Sequence, residues 1–387
     1  MSRAGPPQFY EFFAGGGMAR AGLGAGWRCL FANDMDPAKT AAYRANWGED
    51  DLREADVFSL APDDLPGQAD LAWASSPCQD FSLAGTRAGL AGGRSSAFWG
   101  FWRLIEGLDD QGRAPPVVVL ENVAGLLSAG GGADFTAVGE ALVGRGYRFG
   151  ALALDAAAFL PQSRPRVFVI AAREPRSALV ASGPGAEHGS AVARAFDRLP
   201  AALKDRWVWW RLSAPAPRNT RLADLLEPDK AVAWRSDAQT QALLAQMSPA
   251  HRARLDLAAA GDRRVVGAVF RRIRVEAGVK VQRAELRLDG LAGCLRTPGG
   301  GSSRQLLLVA EKGSVRTRLL TAREGARLMG LPDDYLLPKS QTAALHLVGD
   351  GVAAPLVRYL AERLLEPLLG VIPTDRIVNI SGRTAAA

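Results

Sequence analysis

Phe9-Tyr10-Glu11-Phe12-Phe13-Ala14-Gly15-Gly16-Gly17-Met18 is the stretch that decides the fold. Residues 9–13 read as a strand and 18–26 as a helix, with three glycines filling the turn between them. Glycines there let the backbone approach a ligand at the positive end of a helix. Such a turn is weak evidence taken alone, since dinucleotide enzymes carry one too. The next strand, residues 28–32, ends in Asn33-Asp34, about 20 residues on, where a carboxylate can accept both hydroxyls of a ribose. A plainer role for Asp34 is to cap a helix beginning at Asp36-Pro37. Asp56, before Val57 at the end of a short third strand, is placed to accept from an adenine amino group. Glycine turn, Asp34 and Asp56 together describe an adenosine-bearing cofactor. No arginine or lysine accompanies the turn, which suits a ligand without phosphates and favours S-adenosyl-L-methionine over NAD.

Working outward, residues 8–170 alternate short apolar runs with helical stretches. Segments 71–75, 117–120 and 167–171 are further strands, each with a helix before it. This rhythm predicts an α/β fold: a Rossmann-like, mostly parallel sheet with helices on both faces, binding ligands beyond the carboxyl ends of its strands. At residue 172 the texture changes. Ser/Gly/Pro-rich links at 182–189 and 213–217 precede arginine-rich, strand-like runs at 265–274 and 279–288, then a glycine loop at 298–305. Helical patterning returns near Thr321, and 352–369 reads as an amphipathic helix. The expected organisation is a main domain over 1–171, a smaller, mostly irregular or β domain over 172–328, a return to the main domain over 329–372, and a tail at 373–387.

Composition narrows the class. The 387 residues are 48% hydrophobic and 22% charged, ordinary for a globular protein. No apolar run approaches the roughly 18 residues of a membrane span, and the N-terminus lacks the regions of a signal peptide. Cys29, Cys78 and Cys294 have neither disulfide nor metal spacing, so no metal is expected and a reducing, cytoplasmic setting is. Residues 172–316 hold 25 Lys+Arg against 14 Asp+Glu, a net of +11 within a chain of +7. Charge gathered in one block suits a polyanion, although arginine drift in an Ala/Arg-rich proteome also produces it.

Two further residues bring chemistry. Cys78 follows Pro77 at the end of a strand, and Glu121 stands at the tip of the next apolar strand. A thiolate beside an acid suits attack on an electron-poor ring that is protonated as it is attacked, and cytosine is such a ring.

With these residues in place, the chain resembles the DNA (cytosine-5) methyltransferase family over 8–171 and 316–368. The shared motifs, in order, are Phe13-Ala14-Gly15-Gly16-Gly17, Pro77-Cys78-Gln79, Glu121-Asn122-Val123, Gln162-x-Arg164-x-Arg166, Arg318-Leu319-Leu320-Thr321-x-Arg323-Glu324 and Gly349-Asp350-Gly351-Val352. The resemblance implies that Cys78 adds to C6 of a flipped-out cytosine. Glu121 would contact N3 and the exocyclic amine, and Arg166 would hold O2 with Arg164 beside it. It adds Met18, Met35, Val57, Pro77, Asp350 and Val352 to the cofactor contacts. Gln79, Gln162, and Ser82 and Arg94 of a Gly/Ser-rich loop would meet DNA. Departures are Ser76 before Pro77, Met35 in an aromatic's place, Asp350 where some members have Asn, and Pro165 between the two arginines; none removes a group the chemistry needs.

The variable block occupies the family's target-recognition position. Arg271, Arg272, Arg274, Arg296 and Arg304 there could serve phosphates and guanines of double-stranded DNA. Trp207, Trp209 and Trp210 are expected to be core or interface aromatics. The resemblance implies a monomeric, nucleoid-associated bacterial enzyme of DNA methylation and restriction–modification. Alternatives are a tRNA cytosine-5 methyltransferase, whose Cys-Phe-Thr signature is absent, and a catalytically dead DNA-binding homologue. A nicotinamide oxidoreductase explains only the glycine turn.

Overall fold

The structure is a computed structural model that describes residues 5–77, 97–296 and 304–371. Its centre is a seven-stranded sheet built from β1 (Gln8–Phe12), β2 (Arg28–Asp34), β3 (Leu52–Glu54), β4 (Leu71–Ala74), β5 (Val117–Asn122), β6 (Arg148–Asp155) and β7 (Pro165–Ala172), in the order β3-β2-β1-β4-β5-β7-β6. Strands β3 to β5 pair in parallel, while β7 is antiparallel to both neighbours. The reversal of β7 brings its first residues, not its last, to the edge where β5 ends.

Alternation along the buried strands builds two cores. Leu71, Trp73, Val117 and Val119 face a layer that includes Met18, Leu23 and Tyr43. Ala72, Ala74, Val118 and Leu120 face the helices Ala97–Asp110 and Ala133–Gly144 through Phe101, Trp102, Phe135 and Leu142. Strands covered on both faces carry apolar residues at every position, as β4 and β5 do.

Two expectations change. β6 was not foreseen, because Gly150, Ala151 and Ala153 thin the β-branched signal of this strand. β7 is preceded by β6 and a short 3-10 turn at Ala156–Ala158, not by a helix. Past residue 172 the chain stays on the sheet: along the outer edge of β6, Phe149 N donates to Arg206 O at 3.1 Å and Val208 N to Phe149 O at 2.7 Å. The Trp210 indole donates to Ile170 O at 3.2 Å. Trp207 and Trp210 are both buried, and Trp207 lies within a cluster of Phe135, Phe149, Phe196 and Trp209 rings.

After the two-stranded pair β8 (Val180–Ala181) and β9 (Trp209–Trp210), a second sheet forms from β10 (Val265–Glu276), β11 (Val279–Arg287), β12 (Leu306–Glu311) and β13 (Ser314–Leu319). Its order is β11-β10-β12-β13, antiparallel throughout. The helices Asp237–Leu244 and Pro249–Ala260 cover one face. β12 pairs only with residues 265–269 of β10, so β10 and β11 continue beyond it as a free two-stranded ribbon, closed at Ala277-Gly278 with both residues at positive φ.

The last helices return to the first. Gly22 lies so close to the helix Ala354–Leu360 that a Cβ there would sit 2.4 Å from Val357 Cβ. The link from β13 to the helix Ala322–Leu328 is fixed by the buried pair Arg318–Glu324; Glu324 also accepts from Thr321 N and Glu227 N. Among the described residues no helix is long and apolar enough to cross a membrane. Arg318→Met strands the Glu324 carboxylate, which costs roughly 3–5 kcal/mol. Urea unfolding should show that loss, with much of it recovered in the double variant Arg318→Met/Glu324→Leu.

Candidate active site at the sheet edge

The ends of β1, β2, β4 and β5 and the start of β7 converge on one edge. At the β1 end the turn is pinned from several directions. Ala14 N donates to Asn33 O at 2.9 Å and Gly15 N to Asp34 Oδ2 at 2.8 Å. Gly16 O accepts from the Trp47 indole at 2.9 Å and the Tyr335 hydroxyl at 2.7 Å. A Cβ on Gly16 would lie 2.2 Å from that hydroxyl, and Gly17 has φ +76, so neither position tolerates a side chain.

Asp34 is buried and its second oxygen accepts from Asp36 N at 2.9 Å. It is not the helix cap: Asp36 performs that role, accepting from Ala38 N and Lys39 N at the start of the helix Pro37–Trp47. Asp56 is exposed and holds Phe58 N at 3.0 Å, while Val57 is buried. Next to these acids in sequence, Met35 is 67% and Phe58 41% exposed. Asp350 pairs with Lys39 at 2.8 Å, and Gly351 packs against Met18, whose sulfur would be 2.1 Å from a Cβ there. Phe13, at φ +56, and buried Val352 complete this end.

One acid was not singled out from the sequence. Glu11, in the middle of β1, is buried; its Oε1 accepts from Arg20 N at 3.4 Å and its Oε2 has no hydrogen-bond partner. Burial pushes its carboxyl up to about 8, opposed by the backbone N–H and charge of Arg20. Its signal was a lone carboxylate in an otherwise apolar strand. Trp47 and Tyr335 had none, because neither lies near the turn in sequence.

At the other end of the edge, Glu121 is buried and pairs with Arg166 Nε at 3.0 Å. Asn122 donates to Ser76 Oγ at 3.0 Å, and Trp73 Nε1 donates to Ser75 Oγ at 3.0 Å. The segment that leads through exposed Pro77 into Cys78 is therefore tied to the residue after Glu121. Cys78, Gln79, Ser82 and Arg94 lie outside the described residues.

Two residues need correction. Gln162, expected at DNA, is fully buried; it donates to Leu328 O at 2.6 Å and accepts from Leu295 N at 3.2 Å. Arg164, expected beside Arg166 at the reacting ring, is fully buried too. Its guanidinium donates to Gly349 O at 2.7 Å, Gly351 O at 2.6 Å and Leu295 O at 3.1 Å, and meets Cys294 Sγ at 3.4 Å. Both side chains are used in joining segments, and Arg164 acts as a positioning residue. Burial pulls its pKa down to about 10. Cys29 is buried, and burial raises its thiol pKa.

In the second sheet, Arg272 and Arg274 both pair with Glu285, whereas Arg271 and Arg304 line a cavity of about 540 Å³ together with Arg235. Arg296 is exposed just past Leu295. Among the described residues no cluster of three or more His, Cys, Asp or Glu could hold a metal ion.

A sheet in this order, with a glycine turn and acids at the ends of its first strands, defines a Rossmann-like S-adenosylmethionine-dependent methyltransferase fold carrying a smaller antiparallel domain. The family model for C-5 cytosine-specific DNA methylase matches residues 8–366, so the chain belongs to that family and is a DNA (cytosine-5-)-methyltransferase. It is 26% identical over 368 residues to the Type II methyltransferase M.HhaI of Haemophilus parahaemolyticus, covering 92% of this chain and 94% of that one. It is also 26% identical over 378 residues to M.HpaII of Haemophilus parainfluenzae, covering 93% and 89%. Similar solved folds include S. pombe Dnmt2 methyltransferase, with TM-score 0.58 and 17% identity over 94% of this chain and 99% of that one. The Entamoeba histolytica methyltransferase EhMeth follows, with TM-score 0.60 and 13% identity over 95% and 99%.

Replacing Arg164 with Met leaves three buried carbonyls short of a donor, at about 1–3 kcal/mol each before relaxation. Thermal unfolding should show a large stability loss for Arg164→Met and a much smaller one for Arg252→Ala, whose ion pair with Asp256 is exposed. Glu11 is protonated in the folded state over a range where the unfolded chain, with the ordinary value of 4.5, is ionised. The stability this contributes is complete below 4.5 and is lost as pH rises through about 8. Melting temperatures across that window should fall more steeply for the wild type than for Glu11→Gln.

Proposed function

We propose that this enzyme methylates C5 of a cytosine flipped out of a specific duplex DNA sequence, through a transient bond between Cys78 and C6. The observation that carries this reading is the buried Glu121–Arg166 pair, one residue from the Asn122–Ser76 tether that leads into Pro77-Cys78. An acid and a cation are thereby held beside the base of the segment that bears the thiol.

The glycine turn, Asp34, exposed Met35 and Phe58, and Asp56 fit the adenosine of S-adenosyl-L-methionine, and the unpartnered Oε2 of Glu11 fits its ammonium group. Asp34 retains lone pairs for ribose hydroxyls beyond the two backbone bonds it already accepts. Bound there, the cofactor supplies a methyl group on a positively charged sulfur.

In this reading the Cys78 thiolate forms the Sγ–C6 bond while the C5–C6 π pair moves onto C5. Glu121 hydrogen-bonds N3 and the exocyclic amine, offsetting the charge that develops in the ring. Arg166 holds O2 from the far side of Glu121. Once C5 carries the methyl group, loss of its proton restores the double bond and expels Cys78 as thiolate. The ring must leave the helix because C6 is inaccessible in a stacked duplex. We assign DNA recognition to the part of 172–328 that leaves the main sheet, and a Type II modification role like that named for the bacterial relatives.

Tritium from labelled S-adenosylmethionine should enter duplex DNA, and Cys78→Ala should abolish it; Glu121→Gln should lower kcat roughly a hundredfold or more. DNA bearing 5-fluorocytosine at the site should become covalently attached through Cys78. Transfer to tRNA alone would reject the DNA assignment, and absence of any adduct would reject the covalent mechanism. Bisulfite sequencing of DNA from expressing cells reports the site.

A further inference from the structure

We infer that one face of the β10–β11 ribbon, bearing Arg271, Ile273, Val275, Lys280 and Gln282, reads the duplex, and that the opposite face does not. This rests on the proposed function and goes beyond it by separating Arg271 from Arg272 and Arg274.

The register decides which side chains share a face. Arg272 stands opposite Arg283 and Arg274 opposite Val281, while Ile273 stands opposite Gln282 and Val275 opposite Lys280. With side chains alternating along each strand, Arg272, Arg274, Glu276, Arg283 and Glu285 lie on one side. Arg271, Ile273, Val275, Lys280 and Gln282 lie on the other.

The two sides differ in charge. On the first, Arg272 and Arg274 share Glu285, and Arg283 binds Glu276 through Nε at 2.7 Å. Those guanidiniums are turned along the ribbon and partly neutralised. The second side carries Arg271 and Lys280 with no acid on the face. Its aliphatic side chains are bare, Ile273 at 67% and Val275 at 69% exposure, against the single Val279 at 62% on the first side, so the contrast between the sides is chiefly one of charge. At the root of this side the cavity lined by Arg235, Arg271 and Arg304 has no carboxylate in its lining.

A two-stranded ribbon fits the major groove, where exposed β-branched methyls meet thymine methyls and Gln or Arg bonds purine edges. Three arginines at the root supply phosphate contacts that fix its register. Duplex DNA is the occupant whose chemistry matches cationic donors, amide and aliphatic groups along one strip.

The test uses the full-length protein and a fluorescent duplex bearing the site found by bisulfite sequencing. All substituted residues are exposed or half-buried, and melting temperatures check that each variant is folded. Arg271→Ala and Gln282→Ala should each weaken duplex binding about tenfold or more. Ile273→Ser should broaden the set of methylated sites. Arg272→Ala and Arg283→Ala, which break exposed ion pairs, should change binding less than about fivefold. Equal or greater losses on the Arg272 side, or none on the Arg271 side, would overturn the assignment, as would displacement of the duplex by tRNA at equal concentration. A wild type that methylates its site while the Arg271-side variants bind normally defeats this inference alone. A wild type that methylates no DNA defeats the proposed function, and this inference with it.

Discussion

The buried guanidinium of Arg164 joins three segments of chain that meet behind the candidate site. Its fork donates to carbonyls of two segments far apart in sequence, Leu295 and the Gly349–Gly351 loop, while its own backbone leads into β7. Through Gly351 it fixes the loop that packs on Met18 and carries Asp350 to Lys39. Through Leu295 it anchors the strand of chain that enters and leaves the second sheet. Two residues further along β7, Arg166 meets Glu121. One buried cation therefore ties together the glycine-turn end of the sheet, the Glu121–Arg166 pair and the second sheet. A lysine has no planar fork with which to reach these carbonyls together.

A second constraint closes the fold on itself. The carbonyl of Gly16 takes hydrogen bonds from Trp47 and from Tyr335, the latter contributed by the returning C-terminal segment. The Trp27 indole reaches Glu366 at 3.0 Å, and Arg358 binds Leu23 O and Glu366. The glycine turn is thus shaped by both ends of the chain, although every glycine in it comes from one short stretch. Gly16 is required there, because a side chain would displace the Tyr335 hydroxyl.

What could be read from the sequence was whatever is local. Strands β1, β2, β4, β5 and β7 carried continuous apolar runs, and the acids at their ends followed from those runs. Glu121 followed from its place at a strand tip, whereas Arg166 stands at the start of β7 and reaches the same edge only because β7 is antiparallel, a reversal the expected mostly parallel sheet did not contain. Gln162 and Arg164 have the right residue types but the wrong destination: sequence gives a polar side chain without giving its direction, and here both turn inward onto carbonyls. β6 was hidden by its glycine and alanines, which serve close packing against residues 207–210. β12 and β13 were not singled out within the block expected to be irregular or β, because β12 is an apolar run without alternation and β13 is mostly polar. The partners of Gly16 were out of reach, as they come from elements with no motif of their own.

Net charge overstates the surface available to a polyanion, and the structure shows by how much. Within the basic block Arg264 and Arg316 are spent on Asp229, whose carboxyl they hold well below the usual range. Arg283 is spent on Glu276, Arg287 on Asp289, and Arg272 and Arg274 on Glu285. Cross-strand pairs of this kind stiffen the antiparallel sheet. Counterion release scales with cations that meet phosphate, and an arginine already paired within the sheet must first give up its carboxylate. Arg235, Arg271 and Arg304 instead line a cavity without a carboxylate at the root of the ribbon. Composition gives the block its excess of +11 without saying which cations are engaged: the six arginines paired above meet four carboxylates and so account for only two of those charges.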